Sequence, residues 1–75
     1  MVKVKRYKLT YSSEEPVNLV DAQPGIYFGE KAAIECFNLI CDELDMRTDK
    51  PFEVRLIEID EWDSEVKLLR NYSCE

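Results

Sequence analysis

One stretch in the middle of the chain has the apolar spacing of an amphipathic helix. Its apolar residues recur at intervals of four, three and four: Ala33, Phe37, Ile40 and Leu44. That spacing places them on one face of an α-helix, with Gly29 where the N-cap belongs and Pro51 preventing any continuation. A single apolar stripe has to be buried against another element, so the flanking segments must supply the surface that covers it.

The segments on both sides of this stretch have the patterns of β-strands. Four segments are predicted strands: residues 2–11, 26–28, 52–62 and 65–72. In the first, the apolar residues change from even to odd positions, which predicts either a bulge near Arg6 or a strand that contacts two different surfaces. The third carries apolar residues on both faces, which predicts either a central strand or a strand with one face against the helix and the other against a partner. Residues 17–20 suggest a short edge segment. In the last, Val66, Leu68 and Tyr72 are predicted to share one side.

These elements predict an α+β fold with the order β-β-α-β-β, in which one amphipathic helix packs on a small, mainly antiparallel sheet in two layers. The 75 residues form a single domain, 1–75. A chain of this length buries only about 60% of the surface that its unfolded form exposes. We therefore expect a homodimer or higher oligomer, formed through the sheet face that the helix leaves uncovered.

The chain has four tyrosines, and a lone helix is not expected to cover all of them. One interpretation is that they line the outer face of the sheet and form an oligomer or ligand surface; the other is that they only cover sheet edges. The residues concerned are Tyr7, Tyr11, Tyr27 and Tyr72.

The composition argues against catalysis. The chain has no histidine, so the commonest acid–base group near neutral pH is missing. The three cysteines Cys36, Cys41 and Cys74 are odd in number and lack the spacing of a zinc site, which predicts free thiols and a cytoplasmic protein. We expect no enzymatic activity, no catalytic residues, no cofactor and no metal. No apolar run is long enough to span a bilayer, so no membrane partner is expected.

The net charge is −6, and most of the surface is predicted to be acidic. Such a surface repels phosphate backbones, so direct nucleic-acid binding is not expected. The helix start offers free amides at Gly29, Glu30 and Lys31 that would suit an anion, but Glu30 places a negative charge there and a simple strand-to-helix junction explains the stretch equally well.

The densest feature is "EIDEWDSE" at residues 58–65, where five acids surround the one tryptophan. One interpretation is a solvated hairpin turn. The other is a protein-binding edge, because tryptophan is enriched among interface anchors and acids steer a basic partner towards it. The residues predicted to bind such a partner are Glu58, Asp60, Glu61, Trp62, Asp63 and Glu65.

The leading functional hypothesis is therefore a small, acidic, non-enzymatic protein that inhibits or adapts a larger protein complex with a basic surface. A phage or mobile-element protein blocking a host nucleic-acid-handling or defence system would have this character. A first alternative is an oligomeric sponge for a nucleotide-like small molecule, held by aromatics and by bases from residues 3–8. A second is a structural or assembly subunit.

Overall fold

The computed structural model describes residues 5–74 and contains one helix and a four-stranded antiparallel sheet. The elements are β1 (Arg6–Ser13), β2 (Gly25–Tyr27), α1 (Glu30–Arg47), β3 (Phe52–Ile59) and β4 (Glu65–Cys74). The spatial order is β2-β1-β3-β4, and every neighbouring pair is antiparallel. The predicted α+β class and element order are confirmed. Val2 and Val4, on which the predicted bulge near Arg6 depends, lie outside the described residues.

Helix α1 begins where the sequence predicts it and ends before Pro51. Gly29 is the N-cap, with extended backbone and no side-chain cap, and Glu30 in the first turn suits the positive end of the helix dipole. The helix continues to Arg47, and the Thr48 N–H then bonds to the Leu44 carbonyl at 3.1 Å. The predicted apolar stripe is buried: Ala33, Phe37, Ile40 and Leu44. Within residues 5–74, no helix combines the length and apolarity that crossing a membrane demands.

The core lies between α1 and one face of the sheet. On that face Leu9 of β1 stands opposite Leu56 of β3, and both side chains are fully buried. Strand β3 is central, as predicted, because β1 and β4 pair with its two sides. Its Ile57 and Ile59 face the other way and are also buried, but they lie outside the main core cluster.

Two register shifts change the faces of β4. Arg70 pairs with Leu56 and Leu68 pairs with Ile57, so Leu69 is an extra residue between them. Leu68 therefore lies on the outer face, whereas Tyr72, which pairs with Val54, lies on the α1 side. The prediction that Val66, Leu68 and Tyr72 share one side is wrong, because a bulge interrupts the alternation.

The connection between β1 and β2 is irregular, so the predicted edge segment at 17–20 is wrong as well. Leu19 and Ala22 from this connection are nevertheless buried in the main core cluster. The Tyr11 hydroxyl donates to the Val17 carbonyl at 3.2 Å and holds the connection against the sheet. This segment thus serves as additional cover for the core.

Candidate protein-binding surface at the hairpin tip

The turn between β3 and β4 is built on one carboxylate. Oδ1 of Asp60 accepts hydrogen bonds from the backbone N–H groups of Trp62 and Ser64, each at 2.9 Å. Backbone bonds from Asp60 to Ser64 and from Asp63 to Asp60 close the same turn. Asp63 has a φ of 63°, in the left-handed region that aspartate tolerates better than most residues. We call residues 60–64 the hairpin tip.

Strand β1 fastens the hairpin tip to the sheet. A terminal nitrogen (Nη2) of the Arg6 guanidinium donates to the Asp60 carbonyl at 2.6 Å and lies 2.8 Å from Oδ1 of Asp63. Arg6 is itself half-buried, and it stands opposite Ile59 at the end of the β1–β3 pairing. The hairpin tip is therefore held by three strands of the fold and by its own internal hydrogen bonds.

The six residues predicted to bind a partner do not have equivalent positions. Trp62 is 77% exposed at the hairpin tip, and Glu61, Asp63 and Glu65 beside it are also exposed. Asp60 is half-buried and its carboxylate is engaged in building the turn. Glu58 belongs to β3, where it is half-buried between Tyr7 and Lys67. The structure thus brings four of the six residues together as an accessible group and leaves two in supporting positions.

The four tyrosines do not form an exposed outer surface. The strand pairings place all of them on the α1 side of the sheet, since Tyr7 faces Tyr27 and both Tyr11 and Tyr72 face Val54. Tyr7 is 4% exposed and belongs to the core cluster, and Tyr11 and Tyr27 pack against that cluster. The interpretation that these residues line the outer face is wrong, because the faces follow from strand pairing and the bulged β4 also turns Tyr72 inward.

Besides Tyr11, whose hydroxyl bonds to the Val17 carbonyl, two more of these tyrosines make polar contacts at the margins of the core. The Tyr27 hydroxyl bonds to the Gln23 carbonyl. The Tyr72 hydroxyl lies 3.0 and 3.2 Å from the two carboxylate oxygens of Asp45, and this hydrogen bond is the main reason why the pKa of Tyr72 is raised. Tyr72 is thereby connected to the exposed side of α1.

Glu43 has a role that the helical pattern did not predict. The pattern assigns Glu43 to the polar face, yet its side chain is buried and accepts the backbone N–H groups of Val20 and Asp21 at 2.9 and 3.1 Å. The bond from Val20 is the largest influence that holds the pKa of Glu43 below its ordinary value, against the opposing effect of burial. Arg47, one turn further on, lies 3.3 Å from the carboxylate. Glu43 therefore fastens the β1–β2 connection to α1.

Cys41 has a buried thiol, and one open depression lies on the surface of the described residues. Burial, assisted by the charges of Asp45 and Asp42, raises the pKa of the Cys41 thiol to about 11, which disfavours a thiolate nucleophile. An open depression of about 350 Å³ lies at the end of the sheet. Its lining residues are Ser12, Ser13, Glu14, Pro51, Phe52, Glu53, Ser73 and Cys74. Among residues 5–74, no three acidic, cysteine or histidine side chains converge as a metal site would need.

No family model, curated protein or solved structure matches this chain.

Proposed function

We propose that this protein is a non-enzymatic inhibitor or adaptor that docks the hairpin tip against a basic surface of a larger protein. One observation carries the proposal: Trp62 is 77% exposed on a turn that Asp60 and Arg6 hold in place. Large exposed aromatic side chains are costly in water and are typical of interface anchors.

The fixed conformation of the hairpin tip favours binding energetically. A loop that is already fixed loses little conformational entropy when a partner covers it, so more of the contact energy is available as affinity. The two hydrogen bonds that the Asp60 carboxylate accepts hold the backbone at Trp62 and Ser64, and the Arg6 contacts hold the turn itself. Trp62 is thus presented on a rigid support.

The charge around Trp62 determines the kind of partner. Glu61, Asp63 and Glu65 are exposed beside it, and the chain as a whole carries −6. Such a field accelerates encounter with a positively charged surface and disfavours an acidic one, with a strength that falls as salt is added. A protein surface that binds nucleic acid is one class of partner with the required charge.

The test uses Trp62 itself as the reporter, because it is the only tryptophan in the chain. Proteins captured from the native host by the immobilised wild type are compared with those captured by Trp62→Ala and by Glu61→Gln/Glu65→Gln. These substitutions leave Asp60 untouched, since its carboxylate builds the turn. Glu35→Gln, on the exposed side of α1, is the matched control.

We expect a captured protein that Glu35→Gln retains, that Trp62→Ala loses and that the double variant binds more weakly at low salt. Titrating that purified protein into the wild type should shift the Trp62 emission to shorter wavelength and protect it from acrylamide quenching. A partner that binds Trp62→Ala as tightly as the wild type, or that leaves the emission unchanged, would refute docking through the hairpin tip.

A further inference from the structure

The two edges of the sheet differ greatly in length. Strand β2 forms one edge and has three residues, whereas β4 forms the other and has ten. Every residue of β4 except Leu69 is exposed. A long exposed edge strand presents unpaired backbone groups to any extended segment that can align with it.

The first half of β4 is protected against such pairing and the second half is not. Extra residues at Val66 and Leu69 interrupt the pairing with β3, and bulges of this kind twist an edge away from a new strand. From Arg70 to Cys74, by contrast, every residue pairs with β3 without a register shift. The regular stretch 70–74 is therefore the part of the edge that can accept another strand.

The outer face of the sheet is the alternative surface for a second copy. Polar and charged residues occupy most of it on β1, where Arg6, Lys8, Thr10 and Ser12 alternate with the core residues. Its apolar Ile57 and Ile59 are already buried, and its exposed Ile26 and Leu68 lie on β2 and β4, at opposite edges of the sheet.

We propose that residues 70–72, within this regular stretch, pair antiparallel with the same residues of a second copy, about a two-fold axis at Asn71. In this register Arg70 stands directly opposite Tyr72 of the second copy, and both side chains lie on the α1 side of the sheet. The Tyr72 hydroxyl is bonded to the Asp45 carboxylate, so each Arg70 meets an aromatic ring and a carboxylate. The contact forms twice because the two-fold axis repeats it.

The charges distinguish this register from its neighbours. Within residues 5–74, Arg70 makes no ion pair of its own, and Asp45 has Tyr72 as its hydrogen-bond partner. An axis at Arg70 would place two guanidinium groups opposite each other. An axis at Tyr72 would place Arg70 opposite Cys74 and leave the charges of Arg70 and Asp45 without a partner of opposite sign. Of these three registers, only the one with its axis at Asn71 gives Arg70 and Asp45 a partner of opposite charge.

Pairing over so short a stretch buries less than a standard interface, so the dimer is expected to be weak and concentration-dependent. Sedimentation velocity from about 10 to about 300 µM, across the range of weak protein association, should show the wild type moving from 8.8 kDa towards twice that mass. Arg70→Glu and Asp45→Arg should each remain monomeric, because each places like charges together. Their equimolar mixture should dimerise, since the glutamate introduced in one chain then meets the arginine introduced in the other.

Lys31→Glu and Glu35→Arg make the same charge changes on the exposed side of α1 and should dimerise as the wild type does. Circular dichroism verifies that each variant is folded. A wild type that stays at 8.8 kDa at the highest concentration overturns the proposal. So does a mixture that associates no better than its two components.

A cross-linking measurement tests the axis independently of charge. In a Cys74→Ser background, Asn71→Cys places two thiols directly opposite each other across the axis, within the distance that a disulfide spans. Mild oxidation should cross-link this variant much faster than Ser73→Cys/Cys74→Ser, whose thiol lies on the same outer face but away from the axis. Equal rates for the two variants would overturn the register.

Discussion

Replacing Tyr7 with alanine tests whether this residue supports the core or a binding surface. Its ring is 4% exposed, on the face of β1 that α1 covers. An aromatic side chain of this kind buries roughly 150–250 Å², which at about 25 cal/mol per Å² is worth about 4–6 kcal/mol. Alanine keeps a small part of that burial, so we expect Tyr7→Ala to lower the free energy of unfolding by about 3–5 kcal/mol.

That loss is large for a chain of this size. At about 0.05–0.15 kcal/mol per residue, its 75 residues correspond to a total stability of about 4–11 kcal/mol. The melting temperature should therefore fall by at least about 12 °C, since a domain of this size loses about 4–8 °C per kcal/mol. Urea unfolding followed by circular dichroism measures the change directly. Tyr7→Phe keeps the ring and should cost far less.

The matched control is Phe28→Ala, which truncates an aromatic residue that is 70% exposed and should barely change the urea midpoint. If Tyr7→Ala unfolds at the same urea concentration as Phe28→Ala, then Tyr7 does not pack beneath α1. If it keeps its stability but abolishes self-association, Tyr7 belongs to an interface and the core assignment fails.

Two further predictions concern ionisable groups. Because folding lowers the pKa of Glu43, its stabilising effect is complete above the unfolded value of about 4.3 and is lost as the pH falls through the lower folded value. Glu43→Gln should therefore lower the urea midpoint at neutral pH, and its stability should fall less with acid than that of the wild type. Asp42→Asn, the control, should show neither change. Equal acid sensitivity in Glu43→Gln and the wild type would contradict this. Exposed Cys74 should react with Ellman's reagent at once, while Cys41, with its pKa raised to about 11, should react only on unfolding; simultaneous reaction of both would count against the burial of Cys41.

The elements of the fold were predictable because each has a local signal. The stripe that includes Phe37 and Ile40 requires a helix whatever surrounds it, and Pro51 limits how far that helix can continue. The run from Phe52 to Ile59 carries apolar residues on both faces, which only a strand with neighbours on both sides readily buries.

The candidate site was only partly predictable because side chains with the same charge have different roles there. Asp60 and Glu61 are adjacent acids with the same apparent character in the sequence. Asp60 bonds to two backbone amides, whereas Glu61 is exposed, and the difference arises from the backbone path of the turn. Arg6 is more than fifty positions away along the chain, so its part in holding the turn depends on β1 pairing beside β3.

Local periodicity thus predicts the helix, the four strands and, where no bulge interrupts a strand, which residues share a face, because backbone geometry repeats every 3.6 or two residues. Which part of the fold each face packs against is decided by the tertiary structure. The inward position of Tyr72 follows from a bulge in the pairing of β4 with β3, and the burial of Glu43 follows from the return of the β1–β2 connection over α1. Both depend on contacts between residues distant in the chain, and no local pattern encodes such contacts.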